Sequence, residues 1–109
     1  VKPIAGFLRR LRESEAALAQ APRRVAVIGG GPAGIELAFA FRDRWPQANV
    51  TLIAGSGLAP SLPDSALRRI RRRLEARGIA LVEQDPAAEV ESGAVRLASG
   101  LRIEADAIC

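Results

Sequence analysis

An α/β fold, in which a parallel sheet is wound by crossover helices and carries an antiparallel β-hairpin or meander as a flap, is predicted by three observations. Short β-branched runs alternate with helix-length stretches, the first of those runs leads straight into glycines, and the last quarter of the chain shifts to short alternating segments. Parallel strands need a connection long enough to return across the sheet, so strand, helix, strand, helix, strand is the order expected of such a fold.

From Ile4 to Gln20 the apolar positions Phe7, Leu8, Leu11 and Leu18 fall near helical spacing among Arg9, Arg10, Arg12, Glu13 and Glu15, which predicts an amphipathic helix. Pro22 interrupts that pattern. Arg24 to Ile28 is a short run of Val25, Val27 and Ile28, the composition of a strand buried on both faces. After the glycines no helix breaker intervenes before Pro46, so a helix is predicted from about Ala33 to Trp45. Asn49 to Ile53 reads as a second buried strand, ended by Gly55, Ser56 and Gly57. Between Ser65 and Arg77 the residues Leu67, Ile70 and Leu74 recur at i, i+3 and i+7, and Gly78 stands where a helix C-cap belongs. Ile79 to Val82 is a third strand. Beyond Pro86, Val95 and Leu97, the turn Ser99-Gly100, then Leu101 and Ile103 alternate as a hairpin does, and Ala105 to Cys109 closes as another apolar strand.

The 109 residues are 49% hydrophobic and 26% charged, the composition of one compact domain and too few for two. No apolar run approaches the roughly 18 residues of a membrane span. One cysteine cannot form an internal disulfide, and without histidine neither an ordinary zinc site nor histidine catalysis can be built, so no metal site is expected. Subtracting 12 acids from 16 bases leaves +4, and every base except Lys2 is arginine. The resulting pI of about 10.9 raises the class of nucleic-acid binding. A chain that opens at Val1 and closes on an apolar run is expected to be a piece of a longer polypeptide, whose residence, given one thiol and no export signal, is expected to be cytoplasmic.

Gly29-Gly30-Gly31-Pro32-Ala33-Gly34 fits GxGxxG, with Gly29, Gly31 and Gly34 as its glycines. The pattern alone is weak, but here it follows a strand, opens a helix and lies within a βαβ unit, the Rossmann-like context in which it binds dinucleotides. Gly29 allows the tight turn, Gly31 lets backbone approach a pyrophosphate, and Gly34 lets the helix pack on the strand. The unpaired amides at the helix start, around Pro32 and Ala33, add an anion site carrying about half a positive charge. An acid about 20 residues further on should hold the adenosine ribose. Counting from Gly34 reaches Ala54, which cannot accept a hydrogen bond, and no arginine stands there to receive a 2′-phosphate. Ser56 and the backbone of Gly55 and Gly57 remain as ribose partners, and the residues leave the choice of cofactor open. Glu36, expected in the first turn of the helix, is accounted for by the helix dipole alone, a contribution of about 0.3 to 1 kcal/mol.

With these residues in hand the chain resembles the NAD(P)H-binding domain of the two-dinucleotide-fold flavoproteins, the pyridine nucleotide-disulfide oxidoreductase superfamily, and within it the type II NADH dehydrogenase-like branch. Val25 to Leu37, VAVIGGGPAGIEL, resembles the second fingerprint of such proteins. Val1 to Ile4 with the following helix resembles the segment leaving an FAD domain. Ser99-Gly100 and Ala105 to Cys109 resemble the run toward an Asp-containing strand that precedes an ATG-type motif. The resemblance implies residues 1–22 as a linker helix and residues 23–109 as the NAD(P)H-binding domain. It also implies NAD(P)H as cofactor, NADH slightly favoured, with FAD held mainly by another domain of the same polypeptide. Gly29, Gly31 and Gly34 then shape the pyrophosphate turn, Glu36 matches the acid toward the nicotinamide and flavin, and Asp106 matches the acid of the closing strand. The parent would pass hydride from NAD(P)H to FAD and onward to an unidentified acceptor, a quinone being one candidate, and its attachment to a membrane stays open. No catalytic residue is assigned within this chain, which is expected to be inactive alone. Two departures stand out: Ala54 replaces the family's frequent acid, and the absence of a CxxC pair leaves a disulfide reductase role unsupported. Cys109 is expected to be core.

Two other readings compete. Arg68, Arg69, Arg71, Arg72, Arg73 and Arg77 could form a nucleic-acid surface, but the core stripe Leu67, Ile70 and Leu74 makes them the solvated face of a helix, and no aromatics are interleaved. Nucleic acid is therefore not expected as a partner; an acidic domain or lipid headgroups are alternatives in the parent. A degenerate domain with a purely structural role is the third reading, prompted by Ala54.

Overall fold

The computed structural model describes residues 22–109, so the helix expected over Ile4 to Gln20, with most of the linker, lies outside the described residues. The elements are β1 (Arg24–Ile28), α1 (Pro32–Arg44), β2 (Asn49–Ala54), α2 (Asp64–Ala76), β3 (Ile79–Glu83), β4 (Ala87–Glu91), β5 (Ala94–Leu97), β6 (Arg102–Glu104) and β7 (Ala107–Ile108). Four strands form a parallel sheet in the order β3-β2-β1-β7, and β4-β5-β6 form an antiparallel sheet.

The doubly buried character of β1 and β2 follows from their place between two layers. Val25, Val27, Val50, Leu52 and Ala54 face the helices and pack with Ile35, Ala38, Phe41 and Leu74. The alternate residues Ala26 and Ile53 face the antiparallel sheet and meet Val95, Leu97 and Ala105. A strand covered on both faces needs no polar side, which is why these runs read as continuous apolar sequence.

Pro32 opens α1 at a position where its missing N–H is no loss and its φ is already helical. The helix closes with the Trp45 amide donating to the Phe41 carbonyl at 2.8 Å, while the two rings stack with centroids 5.3 Å apart. Arg42 gathers three carbonyls there: Nη1 donates to Ala48 at 2.7 Å and Pro46 at 3.1 Å, and Nη2 to Gly78 at 3.3 Å. The expected stripe of α2 is realised, with Leu74 buried and Leu67 and Ile70 packed against the helix-side core. Gly78, just past the helix at φ +69°, returns its amide to Glu75 at 3.0 Å in the left-handed conformation that favours glycine at a helix end. No helix among the described residues is long and apolar enough to cross a membrane.

The flap takes the meander form of the expected antiparallel unit, with β4 preceding the predicted hairpin. It departs from expectation in two places. Leu101 lies outside β6 and is 55% exposed, so it drops out of the expected apolar alternation, whereas Ile103 pairs with Val95 and packs against the flap-side core. The closing strand is only β7, although Cys109 still donates to Ala26 at 2.9 Å and accepts from Ile28 at 2.7 Å. Asp106 precedes β7 and clasps the start of β1, its Oδ2 accepting from the amides of Arg23 at 2.9 Å and Arg24 at 3.0 Å. Cys109 is half-buried against the helix-side core.

Leu52 lies at the centre of the parallel sheet with no exposure, so Leu52→Ala should lower the unfolding free energy by about 2–5 kcal/mol in a urea titration. Exposed Arg72→Ala, in contrast, should change it by less than about 0.5 kcal/mol.

Candidate functional site

In the order β3-β2-β1-β7 the chain leaves β1 toward β2 on one side, and β7 returns on the other. Such a reversal opens a crevice outside the carboxyl end of β1, and the turn from β1 into α1 occupies it.

The glycines of that turn are required for separate reasons. Gly29 has φ +134°, closed to ordinary side chains, and its amide donates to the Ile53 carbonyl at 2.9 Å. A Cβ on Gly34 would lie 2.0 Å from the Gly29 carbonyl oxygen, so α1 rests directly on the turn. Gly30, the variable position of the pattern, is equally constrained: its Cβ would fall 2.4 Å from the Gly57 carbonyl oxygen and 2.7 Å from the Ala54 Cβ. Gly31 differs from all three. Its backbone is extended, with φ −79° and ψ −179°, and a Cβ there would meet nothing within 4 Å.

Gly31 is the N-cap of α1, with no side-chain cap and no acid in the first turn. Among the described residues no backbone carbonyl takes the amides of Gly30, Gly31, Ala33 or Gly34, while Pro32 and Ala33 are exposed. Glu36 belongs to the second turn, a correction to the first-turn expectation, because the helix begins one residue earlier than predicted. It is exposed and lines a groove with Asp43 of α1, Arg73 of α2 and Arg77 just past the end of α2.

At the end of β2, Ala54 is fully buried and forms the floor beneath Gly30. Gly55 sits against the β3–β4 loop, where a Cβ would lie 2.5 Å from the Pro86 Cα. Ser56 is exposed, and the Gly57 amide closes the turn onto the Ala54 carbonyl at 2.9 Å. The predicted residues therefore converge on the carboxyl edge, apart from Glu36 on the helix flank. Gly30 escaped sequence reasoning, although the uninterrupted Gly29-Gly30-Gly31 run was a signal for it.

The sequence profile of the pyridine nucleotide-disulphide oxidoreductase family matches residues 2–109. The chain belongs to this family. The family uses FAD and NAD(P)H, and the chain is a domain of its flavoprotein oxidoreductases. Among solved structures, reduced CoADR-RHD of Bacillus anthracis is 29% identical with a TM-score of 0.71, over 80% of this chain and 16% of that one. The ferredoxin reductase of the CYP199A2 system from Rhodopseudomonas palustris is 20% identical with a TM-score of 0.77, over 92% and 25%. LpdA from Mycobacterium tuberculosis is 23% identical with a TM-score of 0.69, over 84% and 21%. This chain thus spans a quarter or less of those proteins. No curated protein sequence shows a significant match. The paired parallel and antiparallel sheets are those of the family's reductase domains.

The different surroundings of two fingerprint glycines can be separated by stability alone. Gly34→Ala should destabilise the fold by about 1–3 kcal/mol through collision with the Gly29 carbonyl, whereas Gly31→Ala should stay within about 0.5 kcal/mol in the same thermal unfolding assay.

Proposed function

We propose that the chain is the NAD(P)H-binding domain of an FAD-dependent oxidoreductase, with residues 23–109 forming the nucleotide domain and residues 1–22 the connection from an FAD domain of the same polypeptide. When bound, the nicotinamide nucleotide supplies a hydride that FAD accepts and relays to an acceptor, for which a quinone is one candidate. The type II NADH dehydrogenase-like branch, NADH as the favoured nucleotide and a cytoplasmic setting complete the reading.

One observation carries it: Gly31 caps α1 with open space where a side chain would stand, beside amides with no backbone partner. That cradle fits a pyrophosphate. The amides of Gly31, Ala33 and Gly34 donate to its oxygens, and the dipole of α1 favours its charge without an arginine or lysine in the turn. Gly55 and Ser56 lie where the ribose would be held. The work of these residues is to bind and orient, since the cofactors carry the redox chemistry. The arginines of α2 and its C-cap support the solvated-face reading in part through their ion pairs, Arg71 with Glu83 at 2.7 Å and Arg77 with Asp43.

Titration of the chain with NADH, NADPH and a short DNA duplex at two salt concentrations tests the assignment. Saturable nucleotide binding is expected, and Gly31→Val should abolish it while leaving the melting temperature within a few degrees. Binding to DNA alone, with affinity falling steeply in salt, would reverse the reading.

A further inference from the structure

We propose that Glu83, held by Arg71, is the carboxylate that receives the adenosine ribose hydroxyls and thereby selects NADH over NADPH. The inference rests on the nucleotide reading above and names a residue of that same site. A dinucleotide crevice of this type needs an acceptor at the ribose, ordinarily from the end of the second strand. Ala54 has none to offer and is buried.

The parallel register supplies a substitute on the neighbouring strand. Ala54 pairs with Glu83, the last residue of β3, so the two stand side by side at the carboxyl edge, about 4.8 Å apart. Paired residues of a ladder project to the same face, and Ala54 packs on the helix side of the sheet. Glu83 is accordingly on that side too, where Arg71 of α2 donates from Nη2 to its Oε1 at 2.7 Å. The second carboxylate oxygen, Oε2, accepts no hydrogen bond among the described residues, and the side chain retains 30% exposure. One oxygen is anchored and the other is left to accept.

The surrounding backbone is held in a conformation that needs enforcement. Ala59 and Gln84 are the non-glycine residues with positive φ among the described residues, at +39° and +57°. Both border this edge: the Ala59 amide donates to the Gly30 carbonyl at 2.7 Å, and the Gln84 amide to the Ala54 carbonyl at 3.3 Å. Strained residues of this type persist where neighbouring contacts over-determine them and gather at ligand clamps. Gln84 follows Glu83 directly, so its conformation fixes where β3 ends and where the carboxylate stands. A carboxylate in this position accepts from ribose hydroxyls and repels a 2′-phosphate, which gives the sign of the selectivity.

Equilibrium dissociation constants of the full chain for NADH, NADPH and NADH lacking the adenosine 2′-hydroxyl provide the test, in wild type, Glu83→Gln, Glu83→Asp and Gly31→Val. Wild type should prefer NADH to NADPH and lose about tenfold toward the 2′-deoxy analogue, the value of one hydrogen bond to a charged group. Glu83→Gln should weaken NADH by about the same factor and bind the 2′-deoxy analogue as tightly as NADH, a loss of discrimination that a merely structural role would not produce. Glu83→Asp, which keeps the charge, should restore part of the discrimination. Equal NADH affinity in wild type and Glu83→Gln, a wild type indifferent to the 2′-hydroxyl, or a preference for NADPH would each overturn the role of Glu83. In those cases loss of binding in Gly31→Val still upholds the nucleotide site. A wild type that binds none of the three nucleotides overturns the nucleotide reading and this inference together.

Discussion

The seating of α1 on its own entry turn is the contact on which the rest of the structure depends. With only hydrogen on Gly34, the helix approaches the Gly29 carbonyl more closely than any side chain would permit. That approach sets the direction in which α1 leaves the sheet. It places Ile35, Ala38 and Phe41 over Val25, Val27 and Leu52, and it leaves the first amides of the helix over the crevice. Core packing and a row of open amides are two results of one steric allowance.

Two further close approaches reinforce it. Gly30 admits the Gly57 carbonyl, and Gly55 admits Pro86, so the loops after β2 and β3 are pressed against the carboxyl edge. Hydrogen bonds from Ala59 and Gln84 secure the same loops to Gly30 and Ala54. A cradle built in this way is arranged before any ligand arrives, and preorganisation reduces the ordering cost of binding.

The parallel half of the fold was legible because its elements are covered on both faces or carry long helical stripes. β1, β2, α1, α2 and β3 were expected within one or two residues of where they lie. The flap was harder. Ala87–Glu91 has a single β-branched residue, Val90, which is 58% exposed, so nothing in its composition marks a strand. β4 exists because β5 offers a partner edge and because the Asp85 carboxylate binds the Ser99 amide at 2.9 Å and its hydroxyl at 2.5 Å. At the candidate site, the spacing of the motif singled out Gly29, Gly31 and Gly34. It could not reveal that Gly30 is enclosed or that Ala54 faces Glu83 across the ladder, since both depend on contacts between segments distant in sequence.

The opposite rim of the sheet is fastened by different means. Arg42 reaches carbonyls ahead of β2 and ahead of β3, so one planar cation ties the tail of the first crossover helix to the entrances of two strands. A guanidinium fork can serve several acceptors in divergent directions, which the compact ammonium of lysine does less well. The sheet is therefore latched at one end by charge and pressed together at the other by the absence of side chains. Splaying of β2 from β3 is resisted at the amino edge, and the carboxyl edge is relieved of that duty.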